Sequence, residues 1–73
     1  MVENGWRVIE ETFEQRFGVR GVRAELSRAI PHQAQLTLFL SAEPTPEMAA
    51  LARAIEAEYA EPDRVVWVQF AHA

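Results

Sequence analysis

The sequence predicts an α+β fold: a two-layer sandwich in the order α-β-β-α-β, with two helices on one face of a three-stranded mixed sheet. Two segments place apolar residues at the three- and four-residue spacing of one helix face. Three segments alternate apolar and polar residues, as half-buried strands do. The second helical segment separates two strand segments, and such a crossover connects parallel strands. With 73 residues, the chain has the size of one small domain, residues 1–73.

The first helix is predicted to begin after Asn4, a suitable N-cap, and to end at Phe17 or Gly18. Its apolar stripe comprises Trp6, Ile9, Phe13 and Phe17. Between these residues lie acidic positions that do not fit the stripe. We expect a solvated helix face, rather than a general acid–base pair, at Glu10, Glu11 and Glu14.

Two strands joined as a hairpin are predicted next, because alternation stops at Pro31 and then resumes. The side expected to face the helices comprises Val22, Ala24, Leu26, Ala34, Leu36, Leu38 and Leu40. The opposite side comprises Arg23, Glu25, Ser27, Gln35, Thr37, Phe39 and Ser41.

The second helix is predicted to start after Thr45, a good N-cap that precedes Pro46 at the first helical position. It should end before Pro62, which cannot continue a helix comfortably. Its buried stripe is expected to comprise Met48, Leu51, Ala52, Ile55 and Tyr59.

The last strand, RVVWVQF, is apolar on both faces. We expect Val66, Val68 and Phe70 to face the helices, so that Val65, Trp67 and Gln69 point away from them. The pattern does not decide which strand neighbours this one, although its apolar character argues mildly against a bare edge.

Apolar groups surrounded by polar ones on the uncovered sheet face predict a partner-binding patch. The predicted interface residues are Arg23, Thr37, Phe39, Val65, Trp67 and Gln69. Four alternatives remain: a β-edge interface, a covering N-terminal segment that includes Val2, the reversed orientation of the last strand, and exposure without a partner. A symmetric homodimer is the commonest arrangement for such a patch.

Composition favours an interaction module over an enzyme. A domain this small has marginal stability, and the absence of Cys excludes disulfides and thiolate metal sites. No nucleophile motif, Gly-rich phosphate loop or spaced metal motif is present, so we predict no catalytic residues and no cofactor. The weak metal candidates are His32 and His72.

The net charge of −4 is concentrated in residues 38–73, which disfavours nucleic-acid binding. The alternative function is therefore a small acidic inhibitor, phage- or toxin-related, that binds a partner protein. Four arginines near the first strand could form a basic strip, but ion pairs with a partner or with Glu25 are the favoured role for Arg16, Arg20, Arg23 and Arg28.

No apolar run approaches the ~20 residues that span a bilayer. The first residues, MVENGWRVIEE, lack the basic and apolar regions of a signal peptide. We therefore predict a cytoplasmic protein without direct membrane insertion, either free-standing or part of a longer protein.

The element order and the stretch PTPEMAALARAIEAEYAEPDRVVWVQF resemble the cytoplasmic C-terminal domain of cation diffusion facilitator transporters. The resemblance implies a small metal-sensing dimerisation domain that regulates or accompanies a larger assembly. In that family, His ligands lie early in the second helix and in the last strand. Here residues 48–51 contain no His, and the last strand carries Val68 and Gln69.

Overall fold

The computed structural model describes the backbone of residues 3–73 and the side chains of residues 6–28 and 31–73. The elements are α1 (Glu3–Phe17), β1 (Arg23–Ile30), β2 (Gln33–Leu40), α2 (Pro46–Tyr59) and β3 (Val65–His72). This order confirms the predicted α-β-β-α-β sandwich. Residue Val2, the suggested cover for Trp67, lies outside the described residues.

The sheet has the strand order β1-β2-β3. Strand β2 is antiparallel to β1 and parallel to β3, and the β2–β3 register runs from Gln33 opposite Val65 to Leu40 opposite His72. The structure settles the neighbour that the sequence pattern left open: among the described strands, β3 has only β2 beside it and is an edge strand. This edge is not entirely bare, because side chains of α2 bond the backbone of Val68.

One hydrophobic core lies between the sheet and both helices, which therefore share one sheet face. Phe13 of α1 is 0% exposed, and its ring centroid lies 5.5 Å from that of Phe17 and 6.0 Å from that of Phe70. The buried core comprises Ile9, Phe13, Val22, Leu36, Leu38, Leu40, Met48, Ala52, Ile55 and Val68. These residues, with partly buried neighbours packed against them, confirm the buried side of the hairpin and the predicted stripes of both helices except at Tyr59.

Tyr59 departs from the predicted stripe of α2, since it is 41% exposed. It is the last residue of the helix, where fewer neighbours remain to cover it. Its ring instead faces Trp6 of α1, with the ring centroids 6.4 Å apart. This pair brings the C-terminal end of α2 next to the N-terminal half of α1.

The predicted helix ends are mostly confirmed. The Met48 N–H donates to Thr45 Oγ1 at 3.2 Å, which is the contact of an N-cap. Helix α1 ends at Phe17, and Gly18 follows with a φ of +65°, a left-handed conformation that glycine adopts without strain. Asn4 is not the N-cap, because α1 already includes Glu3.

Candidate interaction surface

The side of the sheet that faces away from the helices is left uncovered by the described residues, and we call it the open face. Paired residues on neighbouring strands point to the same side of a sheet, so the register places its side chains in rows. The rows are Gln33–Val65, Ser27–Gln35–Trp67, Glu25–Thr37–Gln69 and Arg23–Phe39–Ala71. All six predicted interface residues lie on this face.

The β3 side of the open face carries its most accessible apolar groups. Val65 is 52% exposed and Trp67 is 49% exposed, and they are two residues apart on the same strand. Val68, between the outward-facing positions, is buried against the helices. The reversed orientation of the last strand is therefore wrong, because it would require Trp67 in the core.

The β1 side of the open face is occupied by contacts within the chain. The Arg23 guanidinium carbon lies 4.4 Å from the centroid of the Phe39 ring, and Arg23 also pairs with Glu25, as the sequence suggested. Phe39 is therefore half-buried rather than open. In the next row, Gln69 Nε2 donates to Thr37 Oγ1 at 2.9 Å. The accessible apolar patch is thus centred on Val65 and Trp67.

Helix side chains bond the outer backbone of both edge strands. On the β1 side, Glu10 accepts the Ala24 N–H at 2.8 Å, and Glu14 accepts the N–H of Val22, the residue just before β1, at 3.1 Å. This corrects the expectation of solvated carboxylates at these two positions, which are half-buried. Glu11, in contrast, is exposed and pairs with Arg7 on the helix surface.

The β3 edge is bonded in the same way from α2. The Val68 N–H donates to Glu56 Oε2 at 2.8 Å, and Arg53 Nη2 donates to the Val68 carbonyl at 2.7 Å. The two side chains also form an ion pair at 2.9 Å. Unpaired edge groups normally invite another strand, and these contacts occupy them in the middle of β3. The geometry therefore favours the open face over the edges as an interface.

The alternation and helix spacings do not predict these edge contacts, although the sequence contains a signal for them. Each of the four side chains directly follows a buried residue of its helix: Glu10 after Ile9, Glu14 after Phe13, Arg53 after Ala52 and Glu56 after Ile55. Such positions lie beside the apolar stripe, where a long polar side chain reaches past the core to the strand. Spacing alone does not show which strand lies there.

The two histidines do not form one site. His32 lies in the β1–β2 turn, where its carbonyl accepts the Val65 N–H at the start of β3, whereas His72 ends that strand. At about 3.3 Å per residue, the seven steps along β3 separate the two ends by about 23 Å. Among the described residues, no group of three His, Asp or Glu side chains is arranged to hold a metal ion.

The arginines near β1 do not form a single strip. Arg23 lies on the open face, whereas Arg28 lines a pocket on the helix side of the sheet. Arg16 lines a groove of about 800 Å³ beside the start of α2. The basic groups are thus divided among three surfaces.

The fold and the open face define a class of protein: a small α+β sandwich whose edge strands are bonded in part by helix side chains and whose uncovered side carries an apolar patch. Comparison with protein-family models, with curated proteins and with solved structures gives no match. The resemblance to the transporter domain therefore stays a prediction from the sequence. Among the described residues, neither helix is long and apolar enough to cross a membrane.

Replacing Glu10 with alanine is expected to lower the free energy of unfolding by about 1–2 kcal/mol, because the half-buried Ala24 N–H loses a charged acceptor. Urea denaturation measures this loss, and hydrogen exchange should show reduced protection of the Ala24 amide. Glu11→Ala is the matched control, since among the described residues this exposed carboxylate makes a surface ion pair with Arg7, and its loss should change stability by less than about 0.5 kcal/mol. Equal effects of both variants would contradict the edge role of Glu10.

Proposed function

We propose that this domain is a non-enzymatic interaction module that self-associates through the open face, with Trp67 and Val65 at the centre of the contact. The observation that carries the proposal is the half-exposed pair of apolar side chains on a sheet face that no described element covers. Helix side chains occupy edge groups at Ala24 and Val68, which favours association through the face over strand addition. The module serves as the soluble regulatory part of, or the companion to, a larger assembly.

The energy available from this patch suits a reversible contact. About half of a large aromatic surface remains to be buried on Trp67, which contributes about 2–3 kcal/mol at ~25 cal/mol/Å². A twofold dimer uses the patch twice, since both copies present the same surface. Together, the contacts of the interface must also offset the loss of rotational and translational freedom on association.

The size of the face sets the expected affinity. Three strands of eight residues cover about 14 by 26 Å, which is a flat area of roughly 400 Å². Side chains that project from the sheet add to this area. Stable interfaces bury about 800 Å² per partner, so this face belongs with the smaller, transient ones. We therefore expect micromolar self-association rather than an obligate dimer.

Sedimentation equilibrium tests the proposal directly. From about 1 µM to about 500 µM, a range that brackets a micromolar Kd, the apparent mass should rise from 8.3 kDa toward twice that value. Emission from Trp67 should shift to shorter wavelength over the same range as the indole leaves water, with Trp67→Phe giving the signal of Trp6 alone. A constant monomer mass up to the highest concentration would overturn self-association.

The second candidate function is an acidic inhibitor that binds another protein. It is favoured by the exposed acidic groups of the second half, which are Glu43, Glu47, Glu58, Glu61 and Asp63. A basic partner would then associate quickly at low salt and more slowly as salt screens the charges. Salt-dependent capture of a basic protein by a strictly monomeric chain would favour this function.

Residence in the cytoplasm is also a proposal, tested by cell fractionation.

A further inference from the structure

A second concave surface lies on the helix side of the sheet, away from the open face, and we call it the end pocket. It has a volume of about 280 Å³ and lies where β1 and α2 end and β3 begins. Its apolar floor is formed by Leu26, Leu36, Ile55 and Val66, with Ala34 leaving space between them. This volume is close to the lower limit of ~300 Å³ for small-molecule pockets, so a single ring or a system of two fused rings would fill it.

Two aromatic side chains from different helices line the end pocket. Trp6 comes from α1 and Tyr59 from α2, with their ring planes inclined at 52° and their centroids 6.4 Å apart. Neither ring is fully buried, because Trp6 is half-buried and Tyr59 is exposed. Tilted aromatic faces of this kind favour stacked or edge-to-face contact with another ring.

The charged residues of the end pocket carry a local positive surplus. Two arginines, Arg28 and Arg64, line it together with one acidic residue, Glu61. The ion pairs among the described side chains are Arg7–Glu11, Arg23–Glu25 and Arg53–Glu56, and none of them includes Arg28 or Arg64. A surplus of arginine beside an apolar pocket is notable in a chain with net charge −4. The planar guanidinium matches the geometry of a carboxylate.

From this arrangement we infer that the end pocket binds a small aromatic carboxylate. The ring system lies on the apolar floor beside Trp6 and Tyr59, and the carboxylate is held by Arg28 and Arg64. Apolar lining combined with a few convergent polar groups is the usual composition of a ligand site. The site is separate from the open face, so it does not depend on self-association.

The two tryptophans of the chain provide an internal comparison for the test, since Trp6 lines the end pocket and Trp67 lies on the open face. In ¹H–¹⁵N NMR spectra, 2-naphthoate should shift the indole N–H signal of Trp6 and leave that of Trp67 in place. At the binding free energy per non-hydrogen atom that is usual for small ligands, the Kd of 2-naphthoate is expected to be on the order of 1 mM. The neutral analogue 2-naphthamide should bind about tenfold more weakly, because it lacks the charge.

The double variant Arg28→Gln and Arg64→Gln should bind 2-naphthoate and 2-naphthamide with equal affinity. Arg20→Gln is the control, because this exposed arginine does not line the end pocket and should keep the tenfold preference. A well-dispersed spectrum of each variant shows that it is folded. The inference is overturned if Trp6 does not shift, if wild-type protein binds both analogues equally, or if Trp67 shifts instead. None of these outcomes affects the sedimentation test of self-association.

Discussion

Trp67→Glu is expected to leave the chain folded and to weaken its self-association strongly. The side chain is 49% exposed on the open face and contributes nothing to the described core, so its loss should have little effect on stability. In an associated form, the glutamate would place a charge, desolvated and without a partner, at the centre of the contact. Truncating a central aromatic anchor commonly costs about 2–4 kcal/mol, so the Kd for dimerisation should rise at least about 30-fold.

Sedimentation equilibrium of wild type and variant at matched concentrations measures this change. Val8→Glu is the control, since Val8 is 58% exposed on α1, in the layer that covers the opposite side of the sheet. This variant introduces the same charge and should keep the wild-type Kd. An undiminished dimer in Trp67→Glu, or an equal loss in Val8→Glu, would contradict the open face as the interface.

Phe13→Ala is expected to have the largest effect on stability. The ring is completely buried and contacts Phe17 of its own helix and Phe70 of β3. Removing a buried phenylalanine costs about 3–5 kcal/mol, including the cavity that remains. A domain with a single small core has about 3–5 kcal/mol of stability in total, so the variant should be largely unfolded at 25 °C.

Far-UV circular dichroism and urea denaturation measure the outcome. Val8→Ala provides the control on the same helix, because this exposed side chain should change stability by less than about 0.5 kcal/mol. A cooperative unfolding transition for Phe13→Ala with a midpoint close to that of wild type would show that α1 is not essential to the core.

The elements and their buried sides follow from the sequence because each is determined by local periodicity. The stripe of α1 through Ile9 and Phe13 and the alternation of β2 through Leu36 and Leu38 are present in the chain itself, and all four residues are buried. The six residues predicted for the interface also share one face, because alternation assigns side-chain direction once the buried side is known.

The relative accessibility of those six residues could not be predicted, since it depends on pairs across strands. Arg23 covers Phe39, and Gln69 bonds Thr37, only because the register places them beside each other. The spacing predicts that Tyr59 lies in the core, but it does not show that the helix ends at this residue and leaves it exposed. The end pocket was also missed, because its aromatic and charged residues come from separate segments of the chain.

The sequence by itself determined the order of the elements, the composition of the core and the apolar character of both faces of β3. These properties are local, since the 3.6- and two-residue periods assign each side chain to a face of its own helix or strand. Only the tertiary structure decided that β3 is an edge, that Glu10, Glu14, Arg53 and Glu56 bond the edge strands, and that Trp6 meets Tyr59. These properties depend on how separate segments pack together, and no period within one segment contains that information.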